Sequence, residues 1–582
     1  MTYDSLTSDI SRSPITLVKM TLDACDNVYS IPPCTASGAP GTECYNTFQT
    51  CQDKENYVKT TKVYTFSSAR GQEIEARPYL SDIRWMPTEI KPGKITVKGR
   101  ITLSLDDEPD TDRGIDPYVD TRSSVQGTFW KKLLARNPHF KGRVIEVFQG
   151  YDGLDAGDYE LRWAGLIDSI TLDDAEVKIE VADELISLDK IEIPPKLDIE
   201  LPANISDSAT SITTSDSDDM PSSGYVKIGD EAISYASKND TTNIISGCVR
   251  GVLGTTAVAH SSGDRVDLCV FYAADNPFDI MEGMLTNSTD IETDNPPGAG
   301  LASARVDSDA FVAAKEFPGD EPNFSTLLFK PAKISKLLFE IADLCDCSVW
   351  MNEEQKITIR RNNIPNEGGR SYTTVTDEAN IETASADLNE ESRKTRVAIY
   401  WDREIFGDET KTEDYNAVNI AIDVSAESAN EYNGVEEHKI ASRWLRKTWG
   451  AYTTEEIINR FVSNLSSRLL VNRRDAQPII NFDVELKDEG IQSGDYVKIS
   501  TDELLNVDGT DLNAATFSIW KRDHRDEIVR FSSVGVRSNK IGIIAPDATP
   551  AFTSATTAQK EYGFISDDDG IMSDGSQGYR IY

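Results

Sequence analysis

Two adjacent runs, YELRWAGLIDSITL (159–172) and AEVKIEVAD (175–183), are rich in β-branched and aromatic residues, and their apolar and polar side chains roughly alternate. Because successive side chains of a strand point to opposite faces, this pattern predicts β-strands. Runs of the same kind come earlier in the chain, at KVYTFSS (62–68), KITVKGRITLSL (94–105) and RVIEVFQGY (143–151). The sequence therefore predicts a first domain of antiparallel β structure.

The rest of the chain adds more strands and a few short helices. FKPAKISKLLFEIADLCD (329–346) has the clearest helical period, with apolar residues three and four positions apart. Other helical patterns lie at 127–138, 276–285 and 454–475, and further strand patterns at 347–352, 356–362, 396–403, 478–486, 495–501, 516–524 and 528–536. We expect a mainly β (α+β) fold with several antiparallel β-sandwich or barrel-like domains, a few short helices and one small inserted β-module.

A chain of 582 residues is too long for one hydrophobic core and should divide into several domains. A Ser/Thr/Asp-rich stretch at 202–224 is typical of a loop or linker, and strands at hairpin spacing follow it. We predict a cysteine-rich segment attached to a first β-domain, that domain itself, a small β-module, a second β-domain with helix–hairpin subdomains, and an extended C-terminal arm. Their ranges are 1–60, 61–200, 204–272, 273–545 and 546–582.

The formal net charge is −39, from 98 acidic and 59 basic residues. Sequence-specific nucleic-acid binding is not expected, because phosphate contacts require clustered Lys and Arg. Two interpretations of the charge stay open: a solubilising surface, or a channel wall that lets DNA pass without adhering. No apolar run approaches the length of a membrane span, and the N-terminus does not resemble a secretory signal, so we expect synthesis in the cytoplasm.

Motifs of catalysis are missing from the sequence. The chain has 4 histidines, and none lies in an HExxH motif or near a GxSxG nucleophile elbow. The stretch VRGVLGTTA (249–257) lacks the Lys of a phosphate-binding loop, and His260 in AVAHSSG is expected to make a structural hydrogen bond. The sequence therefore does not predict an enzyme.

Half of the 8 cysteines lie in one short segment, CDNVYSIPPCTASGAPGTECYNTFQTC (25–51). Disulfides between them are rare in proteins made in a reducing cytosol. Structural zinc usually takes ligands two to four residues apart, which this spacing does not offer. An iron–sulfur cluster binds each thiolate through a separate iron and suits wide spacing. These three options, and free thiols, stay open on chemistry alone, whereas each of the other four cysteines is expected to be a small buried residue.

The cysteine segment followed by QDKENY resembles that of tail-tip hub proteins of long-tailed phages, the lambda-like L-type protein and its gene-transfer-agent relatives. GTFWKKLLARNPHFKGRVIEVFQGY (127–151) resembles a helix-plus-strand segment of their hub domains. The stretch at 224–272, with IGDE, VRGVLGTTAVAH and GDRV, resembles a small β-domain inserted in many phage tail proteins, and the helix–hairpin at 329–361 resembles parts of central baseplate hubs.

This resemblance implies a [4Fe–4S] cluster held by Cys25, Cys34, Cys44 and Cys51, with zinc as the alternative. It also implies a non-enzymatic virion protein of the tail tip or baseplate, assembled in the host cytoplasm. Such a hub would be a homotrimer that joins the tail tube and distal tail protein to the central fibre, meets the tape measure protein and lines the DNA channel. The alternative functions are a tail-associated cell-wall-degrading enzyme and a zinc- or redox-dependent regulator.

Overall fold

A computed structural model describes most of the chain. The described residues are 13–36, 43–70, 75–86, 88–90, 99–123, 125–316, 321–362, 372–447, 455–485, 488, 490–505, 509–524, 528–536, 564–565 and 579–580. Strands dominate, and they form several sheets whose neighbours are mostly antiparallel. The mainly β (α+β) fold class is therefore confirmed.

The first sheet has seven strands in the order β2-β1-β5-β6-β7-β4-β3. Its strands are β1 (Pro14–Cys25), β2 (Lys59–Ser67), β3 (Leu80–Met86), β4 (Arg100–Asp106), β5 (Val144–Tyr151), β6 (Glu160–Asp173) and β7 (Glu176–Ala182). Helix α1 (Phe129–Arg136) buries Phe129 and Trp130 against this sheet, and the Trp130 ring stacks on Phe66 with ring centroids 4.9 Å apart. Strand β1 lies inside the sheet, although the sequence pattern did not single it out.

The small β-module follows. Strand β8 (Glu192–Ile193) precedes its strands β9 (Ser211–Thr213), β10 (Gly224–Ile228), β11 (Glu231–Tyr235), β12 (Ser237–Asn239), β13 (Ile244–Ser246) and β14 (Val266–Asp275). The prediction that 202–224 is only a loop or linker was wrong. Strand β9 pairs with β13, and Ile212 and Met220 are fully buried, so apolar side chains scattered among Ser and Asp anchor this stretch in the module.

The next layer contains most of the helices. They are α2 (Pro277–Thr286), α3 (Ser308–Glu316), α4 (Ile334–Leu344), α5 (Val424–Glu427) and α6 (Glu455–Arg473). Helix α4 begins later than the predicted 329–346. Pro331 disfavours helix at the residue before it, and Ala332–Lys333 instead forms a short strand. One large core of buried residues extends from the small module through these helices to α6.

The remaining strands of this layer are β15 (Phe324–Leu328), β16 (Ala332–Lys333), β17 (Cys347–Met351), β18 (Ile357–Arg361), β21 (Arg396–Arg403), β22 (Tyr415–Ile422) and β23 (Glu437–Ala441). A six-stranded sheet with its own core follows, built from β19 (Thr373–Thr376), β20 (Ile381–Asn389), β24 (Gln477–Glu485), β25 (Tyr496–Leu505), β26 (Asp511–His524) and β27 (Ile528–Gly535). The arm predicted at 546–582 lies outside the described residues except for the paired strands β28 (Phe564–Ile565) and β29 (Tyr579–Arg580). The five-part division stays a prediction.

Candidate functional site

The cysteine segment is the connection between two paired strands of the first sheet. Cys25 is the last residue of β1 and pairs with Lys59, the first residue of β2, so residues 26–58 form one long excursion from the end of a hairpin. Connections of this length without strands or long helices are uncommon in compact domains and are usually functional. Within its described residues, 26–36 and 43–58, the excursion contains one short 3-10 turn, Lys54–Asn56.

All four cysteines of the segment line one small cavity, together with polar side chains such as Asn27 and Gln52. All eight cysteines of the chain are free thiols. Across the described ranges, no three His, Cys, Asp or Glu side chains converge on a point where one metal ion could bind. The four thiols therefore share the lining of one cavity, and the choice between a cluster and zinc stays a prediction.

The segment has no apolar core of its own. Between Asp26 and Val58, the buried side chains among the described residues are those of Cys44 and Thr47. Larger apolar side chains point outward instead; Ile31 is 55% exposed and Phe48 is 44% exposed. The segment therefore encloses its thiols and a few polar groups rather than apolar side chains.

Short hydrogen bonds shape the wall of the cavity. The Asp53 carboxylate accepts from the backbone N–H and the hydroxyl of Thr35, at 2.6 and 2.8 Å. These bonds hold the pKa of Asp53 below its ordinary value. Burial raises the pKa of the Cys44 thiol, a donated Asn46 N–H opposes this, and the other three thiols add to the rise. The four cysteines thus lie close enough to influence one another electrostatically.

The segment is attached to the first sheet through a cluster of charged and aromatic side chains. The Tyr45 ring lies between the guanidinium groups of Arg122 and Arg136, which are 4.3 and 3.8 Å from the ring centre. Arg122 also donates to the Cys44 carbonyl at 2.9 Å, and the Thr47 hydroxyl donates to the Arg136 carbonyl at 2.6 Å. The position of Cys44 therefore depends on helix α1 and on Arg122 in the loop that precedes it.

Behind this cluster lies a fully buried carboxylate, Asp112. It forms ion pairs with Lys132 at 3.0 Å and with Arg136 at 2.8 Å, and it accepts the Val125 N–H at 2.6 Å. Burial alone would raise the pKa of Asp112, but these contacts outweigh it and lower the pKa below its ordinary value. Asp112 is therefore a charged anchor for the helix that holds Tyr45.

The other four cysteines, Cys248, Cys269, Cys345 and Cys347, are all buried, as predicted. Burial raises the pKa of the Cys248 thiol to about 11 and raises that of the other three thiols further. Thiols held in this protonated form behave as small apolar side chains. They play no part in the candidate site.

The motif of the small module is explained by one buried carboxylate, that of Glu231. It accepts two hydrogen bonds from Arg250, at 2.8 and 2.7 Å, and one from the Gly251 N–H at 2.9 Å. The Val258 N–H at 3.1 Å and His260 Nε2 at 2.8 Å complete the set. The residues IGDE, RG and AVAH are thus parts of one network, and the structural role expected for His260 is confirmed.

The remaining histidines are dispersed. His139 is exposed and faces the Phe48 ring, whereas His438 lies 3.7 Å from the Asp343 carboxylate. Among the described residues, no helix combines the length and the apolar character needed to cross a membrane.

Sequence reasoning missed two residues of the site, Asn46 within the cysteine segment and Tyr118 outside it. The Tyr118 hydroxyl donates to Asn46 Oδ1 at 2.8 Å, across 72 positions of the chain. A local signal for Asn46 does exist, because Asn tolerates the left-handed backbone that it adopts here, with φ of 56°. Nothing local points to Tyr118.

No protein-family profile and no curated protein matches the chain. Several solved structures are similar to it, each at low identity. The 43 kDa tail protein of prophage MuSo2 from Shewanella oneidensis is 9% identical, with a TM-score of 0.33 over 78% of this chain and 97% of that chain. A tail protein from Neisseria meningitidis is 9% identical, with a TM-score of 0.34 over 78% and 92%. A chain of the native gene transfer agent virion is 11% identical, with a TM-score of 0.28 over 54% and 75%.

These structures come from phage tails and a gene transfer agent particle. The function proposed below rests on the residues of this chain.

Proposed function

We propose that this chain is a structural protein of a phage tail, and more specifically the tail-tip or baseplate hub, with a [4Fe–4S] cluster as an internal staple. The observation that carries the proposal is the cysteine segment, in which four free thiols surround one cavity and take the place of an apolar core. This is the arrangement that the sequence resemblance implies for the hub family.

The chemistry of the four thiols favours a cluster over a single ion. In a cubane cluster each thiolate binds a different iron, so the ligands surround the group rather than converge on one atom. Cys25, Cys34, Cys44 and Cys51 line one cavity, and a cluster seated there would be within reach of all four thiolates. When bound, the cluster would link four points of residues 25–51, as structural metals do in segments too small to fold alone.

The assembly follows from the same proposal. Two β-domains per chain in a trimer would offer six similar positions to a sixfold tail tube. The net charge of −39 suits a ring through which DNA passes without adhering. We propose that the chain contacts the distal tail, central fibre and tape measure proteins, is assembled in the host cytoplasm, and has no catalytic activity of its own.

The first experiment measures the metal. The full chain is purified without oxygen, and its iron, acid-labile sulfide and zinc are quantified per chain. We expect about four iron and four sulfide per chain, lost in Cys44→Ser and retained in the control Cys248→Ser, which removes a buried thiol of the small module. One zinc per chain, or a wild-type protein without iron and sulfide, would contradict the cluster.

The second experiment locates the protein. Antibodies against the chain are applied to virions of the phage that encodes it, and the label is mapped by electron microscopy. We expect label at the distal end of the tail and incomplete tails when the phage carries Cys44→Ser. Label along the whole tube, or normal infectious virions from the mutant, would refute the hub assignment.

A further inference from the structure

One hydroxyl group connects the two halves of the cysteine segment. The Tyr118 hydroxyl accepts a hydrogen bond from the Tyr29 N–H at 2.8 Å and donates one to Asn46 Oδ1 at 2.8 Å. Tyr29 lies between Cys25 and Cys34, and Asn46 lies between Cys44 and Cys51. A single side chain outside the segment is therefore hydrogen-bonded to a residue between Cys25 and Cys34 and to a residue between Cys44 and Cys51.

Asn46 transmits this contact to the thiols. Its backbone N–H lies 3.4 Å from Cys44 Sγ as a donor, and its carbonyl accepts the Cys25 N–H at 2.7 Å. Its side-chain oxygen is the group that Tyr118 holds. A rotation of Asn46 would therefore move one cysteine of each pair.

Tyr118 is itself fixed by the domain that carries the first sheet. Its backbone N–H donates to Asp116 Oδ1 at 2.9 Å, and the buried Asp116 carboxylate pairs with Arg122. Arg122 in turn donates to the Cys44 carbonyl at 2.9 Å. The Tyr29 ring lies against the Tyr118 ring, with centroids 6.0 Å apart. These contacts fix the Tyr118 side chain and therefore the position of its hydroxyl group.

We infer that Tyr118 is a positioning residue for the cysteine site: it sets the distance between the Cys25–Cys34 and Cys44–Cys51 pairs before the metal group is acquired. This inference rests on the function proposed above. Outer groups that orient metal ligands typically change metal affinity by about 10- to 100-fold when removed. Tyr118 acts through Asn46, whose backbone N–H is directed at Cys44 Sγ.

The test is Tyr118→Phe, which keeps the ring and removes both hydrogen bonds. Iron loss from the full chain to a chelator is followed by visible absorption, and thermal unfolding of the metal-free protein is measured separately. We expect iron loss about tenfold faster or more, with unchanged unfolding of the metal-free protein. The matched control is Tyr432→Phe, whose hydroxyl donates to the Asp475 carboxylate at 2.7 Å; it should lose iron at the wild-type rate.

A second variant keeps the inference testable if Tyr118→Phe folds poorly. Asn46→Gly retains the left-handed backbone and the N–H near Cys44 but lacks the amide oxygen that Tyr118 holds. The same amide oxygen also lies 3.6 Å from Cys44 Sγ. Asn46→Gly should therefore accelerate iron loss at least as much as Tyr118→Phe, and the double variant should be no faster than Asn46→Gly alone.

The outcomes separate the two proposals. A wild-type chain without iron refutes the proposed function, and this inference with it. A wild-type chain with iron whose Tyr118→Phe variant keeps it at the wild-type rate refutes the inference alone. Unfolding of metal-free Tyr118→Phe at a lower temperature, in proportion to its loss of iron, would show a merely structural role and also overturn it.

Discussion

Replacing Glu231 by Gln should destabilise the small module more than any change on its surface. The side chain is fully buried and accepts five hydrogen bonds, two of them from Arg250. Gln has nearly the same shape as Glu but carries no charge. Its amide NH2 group would face the N–H donors that Glu231 accepts from. The Arg250 side chain, only 6% exposed, would lose its counter-ion.

The magnitude follows from what Arg250 retains. Removing one partner of a buried ion pair costs about 3–5 kcal/mol. Arg250 also donates to the backbone carbonyls of Ser206 and Val258, and these acceptors remain in the variant. The lower end of the range, about 3 kcal/mol, is therefore expected, and at about 1.4 kcal/mol per factor of ten it corresponds to a change of about 100-fold in the opening equilibrium.

Amide hydrogen exchange of the full chain, read by mass spectrometry, measures this locally. Amides of β10 and β11 should exchange about 100-fold faster in Glu231→Gln, with little change in the first sheet. Asp207→Asn, an exposed acidic residue of the same module, is the control and should leave exchange unchanged. Exchange in β10 and β11 within about threefold of wild type would refute the assignment of Glu231 as the centre of the module.

Three further predictions concern buried positions outside the small module. The pKa of the Asp112 carboxyl is lowered in the folded protein, so the stability it contributes is present above the unfolded pKa of about 3.9 and is lost as the pH falls through the lower folded pKa. Asp112→Asn should remove this part of the acid sensitivity, measured as unfolding at low pH by the fluorescence of the buried Trp130. An acid transition identical to that of the wild type would contradict the prediction. Gly165→Ala should cost about 1–3 kcal/mol, because a Cβ would lie 2.4 Å from a backbone oxygen of the neighbouring strand, whereas Gly157→Ala meets open space and should cost little in urea unfolding. Leu337→Ala in the core of α4 should cost about 2–5 kcal/mol and Leu337→Met less than about 1.5 kcal/mol; equal costs would show that this core is not tightly packed.

Short-range patterns were enough to predict most of the elements. The alternation at 159–172 and 175–183 corresponds to β6 and β7, which pair as a hairpin. The helical period at 454–475 corresponds to α6, whose buried residues include Ile458, Phe461 and Leu465. These patterns can be read from a few consecutive residues, because the spacing of apolar side chains shows which face of a helix or strand is buried.

The same patterns were insufficient for strands that expose large apolar side chains or bury only one side chain. In strand β22 the smaller side chains face α6, whereas the large apolar side chains of Val418, Ile420 and Ile422 are exposed. This is the reverse of the usual arrangement, in which the large apolar side chains face the core. Strand β9 has one buried side chain, Ile212, in a polar context. A pattern based on hydrophobicity assigns both poorly, because their places depend on the neighbours that cover them.

The sequence by itself identified the cysteines at 25, 34, 44 and 51 as a unit, since their concentration in a segment poor in apolar residues is visible without any structure. Only the tertiary structure placed the thiols around one cavity and brought Tyr118 to Asn46 across 72 positions. It also placed β1 between β2 and β5, an order that no local pattern encodes. The physical reason is that element type follows from side-chain spacing along a few residues, whereas strand order and long-range hydrogen bonds are set by the packing free energy of the whole domain.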